Sequence, residues 1–347
     1  MRQQYDLVYL TNTPSFYKIN LCNEVCLNGK KLLLVLYGYG TEAVNKSIEN
    51  EENLSFDYKF INTGNSNQRN KLKTFIRLLR LLSSIKYKKL LYAGWIAPEY
   101  NIFSFLSKKS RNVVVCESSI YDVSFKGLSG LIKKAIISRM GAALPSGKPH
   151  DELFKSINFK GKRNITGSVG IFNKFERKTK SIHHPLRYLY VGRLIEVKNV
   201  SQLIDAFNIN GKPLTIVGSG KLENELRRKA KSNISFAGFI DNEILGNIYQ
   251  NHDVFILPSY YEPWGLVVEE ALYWGLPVIV SDRVGSSIDM VKDLGTGIIF
   301  KSKNIDSLHN AIEEIETHFD KYYQNVMKID WNKRDCQQIK AYTSLVD

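Results

Sequence analysis

The chain has 347 residues, 44% of them hydrophobic and 24% charged, and a formal net charge of +14. This length suits about two domains of roughly 150 residues, and the composition excludes both a charge-rich disordered chain and a fibrous repeat. The charge is unevenly held: residues 1–184 carry 30 Lys/Arg against 13 Asp/Glu, net +17, and residues 185–347 carry 18 against 21, net −3.

Along the chain, short apolar runs alternate with longer amphipathic stretches, the pattern of parallel strands buried beneath helices. In a first series, strands are expected at 5–10, 31–37, 89–94, 112–117 and 141–146, with helices near 15–28, 70–85, 98–108 and 127–139. The second series has strands at 187–192, 213–218, 234–238, 253–258, 277–281 and 296–300. Its helices fall near 199–209, 221–231, 242–250, 265–274, 286–292 and 304–325. The reading is an α/β chain of two doubly wound, Rossmann-like units over 1–180 and 186–325, with 173–186 as linker. A helical segment, 326–347, is expected to pack back on the first unit. Such sheets bind ligands beyond the carboxyl ends of their strands, so two facing units are expected to share one cleft.

Within the basic half, residues 69–89 hold eight Lys/Arg and no acid, with Leu72, Phe75, Ile76, Leu79 and Leu82 at helical spacing. That stripe either packs on the sheet or lies on an anionic membrane. Nucleic acid is not an expected partner, since no aromatic-interleaved or zinc-linked motif accompanies the charge. Cys22, Cys26, Cys116 and Cys336 show no C-x-x-C spacing, which argues against zinc and for free thiols in a reducing compartment. The start, MRQQYDLVYLTNT, lacks the apolar core of a signal peptide, and no run of about 18 apolar residues occurs. The expected location is cytoplasmic, with peripheral contact to the inner face of the membrane.

Three loops of the second series carry candidate chemistry. Gly192, Arg193 and Lys198 follow the strand YLYV just before a helix. Two cations beside a helix N-terminus suit a diphosphate, or are an ordinary surface pair. Gly218 and Gly220 follow the strand PLTIV, but Glu223 stands where a dinucleotide fingerprint needs glycine. That loop either brings its backbone to a ligand or forms a tight turn. Residues 259–281, SYYEPWGLVVEEALYWGLPVIVS, place Glu262 and Glu270 on either side of a helix start at Pro263, Trp264, Gly265 and Leu266. First-turn amides there attract an anion, and the two carboxylates accept hydrogen bonds from vicinal hydroxyls. Alternatively Glu262 caps the helix and Glu270 is solvated, as Glu269 is expected to be. A two-carboxylate hydrolase competes with this reading, but such an enzyme needs no diphosphate clamp.

The segment resembles the signature of family 4 of the retaining nucleotide-sugar glycosyltransferases, which have the GT-B fold. The motif E-P-W-G-L-V-V-E-E-A-L carries two carboxylates with seven residues between them, and it is preceded in order by V-G-R-L-I-E-V-K-N, I-V-G-S-G and F-A-G-F-I-D-N-E. The likeness covers about 187–300. It implies that Arg193 and Lys198 neutralise the leaving diphosphate, Glu262 holds sugar hydroxyls and Glu270 holds the ribose. Phe239 and Ile240 would offer backbone groups to the base. Asn199 stands where the family usually has Gly, and Pro263-Trp264 where Gly-Phe is common. In the first half, V-C-E-S-S at 114–118 and A-A-L-P-S-G-K-P-H at 142–150 resemble a branch of the family with an acidic strand end. Glu117 is thereby a candidate at the reaction centre, Ser118 and His150 are acceptor-side candidates, and Cys116 is core.

The resemblance implies transfer of a sugar from a nucleotide diphosphate sugar to a glycan or lipid-linked acceptor in surface polysaccharide assembly. No D-x-D occurs, so neither a metal nor another cofactor is expected. The first half becomes the acceptor side, its charge suited to an anionic membrane or a lipid diphosphate. A GT-B nucleotide-sugar epimerase and a non-catalytic sugar-nucleotide or membrane-binding protein of the same fold remain as alternatives.

Overall fold

A computed structural model describes residues 2–12, 14–38, 48, 54–65, 68–95, 97–177 and 181–347. Thr13 and, within the expected linker, 178–180 lie outside the described residues. The chain divides into one unit of Met1–Asn173 with Asn332–Asp347 and a second of Lys174–Trp331.

The first unit is built on a seven-stranded sheet: β1 (Gln4–Thr11), β2 (Leu32–Leu36), β3 (Asp57–Phe60), β4 (Lys86–Ala93), β5 (Asn112–Cys116), β6 (Ala142–Pro145) and β7 (Lys162–Arg163). Its order is β3-β2-β1-β4-β5-β6-β7, with parallel pairing throughout. Strands β2, β5 and β6 are buried along their whole length, which is why they read as unbroken apolar runs. Two strands carried no such signal. β3, with sequence DYKF, is largely exposed at one edge, and β7 is two residues at the other. Edge strands have only one neighbour and need no apolar run.

Helices cover both faces. On one lie α1 (Phe16–Leu27) and the last helix, Trp331–Thr343, which contribute Ile19, Val25, Ile339 and Tyr342 to the core. On the other lie α2 (Lys71–Ser84), α3 (Pro98–Leu106), α4 (Gly127–Ser138) and α5 (Lys148–Ser156). They contribute Leu78, Leu82, Tyr100, Phe103, Ile137 and Phe154. Helix α2 corrects the expected face. It buries Thr74, Leu78 and Leu82, with Phe75 partly covered, while Leu72, Ile76 and Leu79 are exposed. Two rows of apolar residues at helical spacing run along this helix, and periodicity alone does not say which one meets the sheet.

The second unit has six parallel strands: β8 (Tyr188–Val191), β9 (Leu214–Val217), β10 (Ile234–Gly238), β11 (Val254–Leu257), β12 (Val278–Ser281) and β13 (Gly297–Phe300). Their order is β10-β9-β8-β11-β12-β13, so succession reverses direction between β8 and β11. A crevice beyond the carboxyl ends of strands forms at such a reversal. The intervening helices are α6 (Val200–Asn210), α7 (Glu223–Lys229), α8 (Asn242–Gln250) and α9 (Leu266–Tyr273). Residues Ser287–Lys292 form a π-helical turn rather than an α-helix. The single helix expected over 304–325 is two, α10 (Ile305–Thr317) and α11 (Phe319–Met327), because His318 is non-helical at ψ 26°.

Candidate functional site

The loops that follow β8, β9 and β11 bring the second unit's candidate residues together. After β8, Gly192 lets the Tyr190 phenol pass: a Cβ on Gly192 would lie 2.7 Å from that hydroxyl. The phenol donates to the Arg193 carbonyl at 3.1 Å, fixing the loop from below, while the Arg193 side chain is exposed. The chain then makes a 3-10 turn, Glu196–Lys198, and Asn199 adopts φ 55° and ψ 34° as α6 begins. Asparagine is, after glycine, the residue that best tolerates this left-handed conformation, which accounts for its place in the motif. Its Nδ2 also donates to the Pro258 carbonyl at 3.2 Å, tying the β8 loop to the end of β11.

Gly218 and Gly220 have a packing explanation of their own. A Cβ on Gly218 would stand 2.0 Å from the Gly192 carbonyl oxygen, and one on Gly220 would stand 2.4 Å from that of Leu194. The β9 loop therefore lies against the β8 loop so closely that glycine is required there with or without a ligand. Phe239 is exposed and Ile240 partly so, just beyond the end of β10.

The turn after β11 is anchored on several sides. Tyr260 N–H donates to the Val197 carbonyl at 2.8 Å, and the Glu262 backbone pairs with the loop after β12 through Arg283 O at 3.1 Å and Gly285 N at 2.9 Å. Ser281 Oγ holds the Ser259 carbonyl at 2.5 Å. This frame puts the Glu262 carboxylate against the Lys198 ammonium, with which its Oε2 forms an ion pair. Ser259 Oγ donates to the same oxygen at 3.3 Å. Both side chains are largely buried, at 13% exposed for Lys198 and 12% for Glu262. Charges so placed are held chiefly by each other.

Helix α9 begins at Leu266, with Gly265 as its N-cap at φ 88°, so Pro263 and Trp264 precede the helix rather than open it. The amides at Gly265 and Leu266 have no acceptor within the helix, which gives this turn its capacity for an anion. Trp264 is 2% exposed and donates from Nε1 to Glu269 Oε1 at 2.5 Å. Glu269 is thus not the solvated residue expected from sequence: it is buried and pins the turn's largest side chain. Glu270 is also buried, which removes the solvated alternative for it, and its Oε2 accepts from the Tyr249 hydroxyl at 3.1 Å. Burial pushes the Glu270 carboxyl up to about 7; the Tyr249 hydrogen bond opposes that shift and the neighbouring Glu269 charge adds to it.

In the first unit, Glu117 follows β5 and its Oε1 lies 3.0 Å from Lys18 Nζ on α1. Lys18 is 6% exposed. Burial works to lower its pKa, but the charge and hydrogen bond of the Glu117 carboxylate outweigh it and hold the ammonium above the ordinary lysine value. His150 is fully buried on α5, with Nε2 3.0 Å from the Glu117 carbonyl oxygen. It lies in the first turn of α5 and is a buried support of the Glu117 loop. Cys116 is buried as expected, and its Sγ donates to the Ser118 carbonyl at 3.2 Å. A small cavity lined by Asn12, Lys18, Tyr37, Trp95, Glu117 and Ser118 opens at these strand ends. Lys18, Tyr249 and the Trp264–Glu269 pair were not legible in the sequence as parts of a site. Nothing in α1 marks Lys18 as the partner of a carboxylate 99 residues on. Among the described residues, no group of three or more His, Cys, Asp or Glu is placed to hold a metal ion.

Comparison with known proteins agrees with the two-sheet architecture. The fold is GT-B, two parallel-sheet Rossmann-like units: a solved lipopolysaccharide outer core galactosyltransferase in its apo form superposes with a TM-score of 0.72 at 14% identity, covering 98% of this chain and 99% of that one. Residues 171–325 match the family described as glycosyl transferases group 1. An uncharacterized glycosyltransferase of Methanocaldococcus jannaschii is 33% identical over 153 residues, 41% of this chain and 39% of its own length. The UDP-Gal:α-D-GlcNAc-diphosphoundecaprenol α-1,3-galactosyltransferase of Escherichia coli is 31% identical over 141 residues, 37% of this chain and 36% of its own. The matches to these two curated relatives thus span well under half of their length.

Proposed function

We propose that this chain is a retaining glycosyltransferase of the family 4 type that moves a sugar from a nucleotide diphosphate sugar to a glycan or lipid-linked acceptor in surface polysaccharide assembly. The observation that carries the reading is the Lys198–Glu262 ion pair, set beside the exposed Arg193 and the start of α9. The Escherichia coli relative, whose name specifies a UDP-sugar and a lipid diphosphate, supports both the donor and the acceptor class.

In this reading Arg193, Lys198 and the amides of Gly265 and Leu266 face the donor diphosphate. As the glycosidic bond to phosphate breaks, negative charge grows on the leaving oxygen and the sugar gains oxocarbenium character. A fixed positive field at that oxygen lowers the barrier without a metal. Glu262 Oε2 is held by Lys198 and Ser259, and Oε1 accepts from the sugar hydroxyls. Glu270 accepts from the ribose and Phe239 and Ile240 flank the base, with Gly192, Gly218 and Gly220 keeping the phosphate loops low. No covalent nucleophile is assigned. The leaving phosphate takes the proton of the acceptor hydroxyl on the same face, which retains configuration. Glu117, Ser118 and His150 belong to the acceptor side, with Lys18 added to them. The enzyme works in the cytoplasm, at the inner face of an anionic membrane.

The test is a panel of UDP-, GDP- and ADP-sugars. One base class should raise the melting temperature and release nucleoside diphosphate. An epimerase would instead return an isomerised sugar, and a protein that stabilises with a donor but turns none over would be a binding protein.

A further inference from the structure

Helices α2, α3 and α4 lie side by side on one face of the first unit's sheet, with α2 against α3 and α3 against α4. Each buries one row of side chains and turns a second apolar row outward. Helix α2 presents Leu72, Ile76 and Leu79, at i, i+4 and i+7, and Leu72 is 69% exposed. Helix α3 presents Phe105 and Leu106, and α4 presents Leu128 and Leu131, Leu128 at 75% exposed. Single exposed leucines are ordinary, but outward apolar rows on three neighbouring helices mark a contact surface.

The charge around these rows identifies the occupant. Residues 69–139 contain 15 Lys/Arg against 3 Asp/Glu, net +12, close to the whole excess of the chain. Two of the three acids are held inside the unit: Glu99 pairs with Arg69, and Glu117 with Lys18. The third, Asp122, accepts from the backbone and hydroxyl of Ser119. Within the three helices themselves stand Lys71, Lys73, Arg77, Arg80, Lys133 and Lys134, with Glu99 as their one acid. On α2, Lys73 and Arg80 flank the Leu72–Ile76–Leu79 row and are themselves exposed. Aliphatic rows bordered by cations suit a phospholipid interface, where side chains of Leu and Ile enter the acyl boundary and ammonium groups meet phosphate. A nucleic acid would satisfy the charge but leave the aliphatic rows in water.

We propose that the outer surface of α2, α3 and α4 docks on an anionic lipid bilayer. This deepens the proposed reaction by placing the chain where a lipid-linked acceptor resides, yet its test requires no donor. The full chain is sedimented with vesicles of phosphatidylcholine alone and of phosphatidylcholine with phosphatidylglycerol in equal parts. Binding is expected to the anionic vesicles only, and to fall at least about tenfold in 1 M salt, where the screening length is about 3 Å. Two variants separate the contributions: Leu72→Gln/Ile76→Gln/Leu79→Gln and Lys73→Gln/Arg80→Gln/Lys134→Gln. Each should lower partitioning at least about tenfold with an unchanged melting temperature, since all six residues are exposed or lie on the outer face. Nucleoside diphosphate release in solution should be the same for both variants as for the parent. Absence of vesicle binding, equal binding to both vesicle types, or full binding by both variants overturns the proposal. So does a dimer in ultracentrifugation that either variant dissolves, which would make a second copy the occupant. A parent chain that binds vesicles but turns over no donor counts against the reaction and leaves the docking face standing.

Discussion

Lys198 and Glu262, 64 residues apart in sequence, form an ion pair at the carboxyl ends of two adjacent strands, β8 and β11. The Glu262 carboxylate offsets part of the Lys198 charge, and the exposed Arg193 adds a cation beside the pair. Removing one partner strands the other in a largely buried place, and the two residues act as one unit. Glu262→Gln and Lys198→Met should each lower kcat/KM for sugar transfer at least about 100-fold, and the double variant should be no more than a few-fold worse than either single. A double-mutant cycle on initial rates measures this. Additive losses would mean that the two side chains act separately.

Arg193 offers a cleaner separation of function from stability. Its side chain is exposed, so Arg193→Ala should change the unfolding free energy by no more than about 0.5 kcal/mol. Loss of its charge from the departing diphosphate should cost about 10- to 1000-fold in turnover. Chemical denaturation and steady-state kinetics on the same preparation decide it; a parallel fall in both would assign Arg193 to the fold.

Glu270 predicts two pH dependences of opposite sign. Its folded carboxyl titrates at about 7 against an ordinary 4.5, so between those values the folded chain holds a proton that the unfolded chain has released. This group's contribution to stability is therefore greatest below that window and is lost as pH rises towards 7. Ribose hydroxyls donate to the ionised form, so donor affinity should instead strengthen as pH rises from about 5.5 to 8. Melting temperatures and donor Kd values across that range, for the parent and for Glu270→Gln, provide the check. The variant should flatten both profiles. An unchanged affinity profile would remove Glu270 from the ribose.

The Trp264–Glu269 hydrogen bond anchors the turn that carries Glu262. Glu269→Ala leaves the buried indole N–H without that acceptor, which should cost about 1–3 kcal/mol of stability and loosen the turn. The expected signature is a lower melting temperature together with a raised KM for the donor. Glu269→Gln keeps an acceptor and should recover most of both.

Much of this architecture is legible in the sequence because parallel strands buried on both faces are written as unbroken apolar runs, such as LLLVL at β2 and VFIL at β11. The Glu262 to Glu270 segment is equally visible, since a single loop and helix carry both carboxylates. What is not visible depends on partners distant in sequence. DYKF at β3 is polar because it lies at an edge. Thr74 faces inward on α2 while Leu72 faces out, because the buried row includes a hydroxyl whose bonds are met by Asn62 and Asn70. Glu269 and Glu270 look alike in sequence, yet the tertiary fold gives each a different aromatic donor, Trp264 and Tyr249.

Configuration at the transferred carbon is a further expected outcome. Proton NMR of the first product, recorded before anomers equilibrate, should show the anomeric configuration of the donor. Inversion would require a general base on the opposite face of the sugar and would exclude the leaving phosphate from that part.

The most direct measurement of the central claim is nucleoside diphosphate release from the donor class that stabilises the protein, followed side by side for the parent chain, Arg193→Ala and Glu262→Gln. The account predicts steady release by the parent and loss of at least about tenfold in each variant, with folded protein in all three. Release by both variants at the parent's rate, or none by the parent from any donor of the panel, would contradict it.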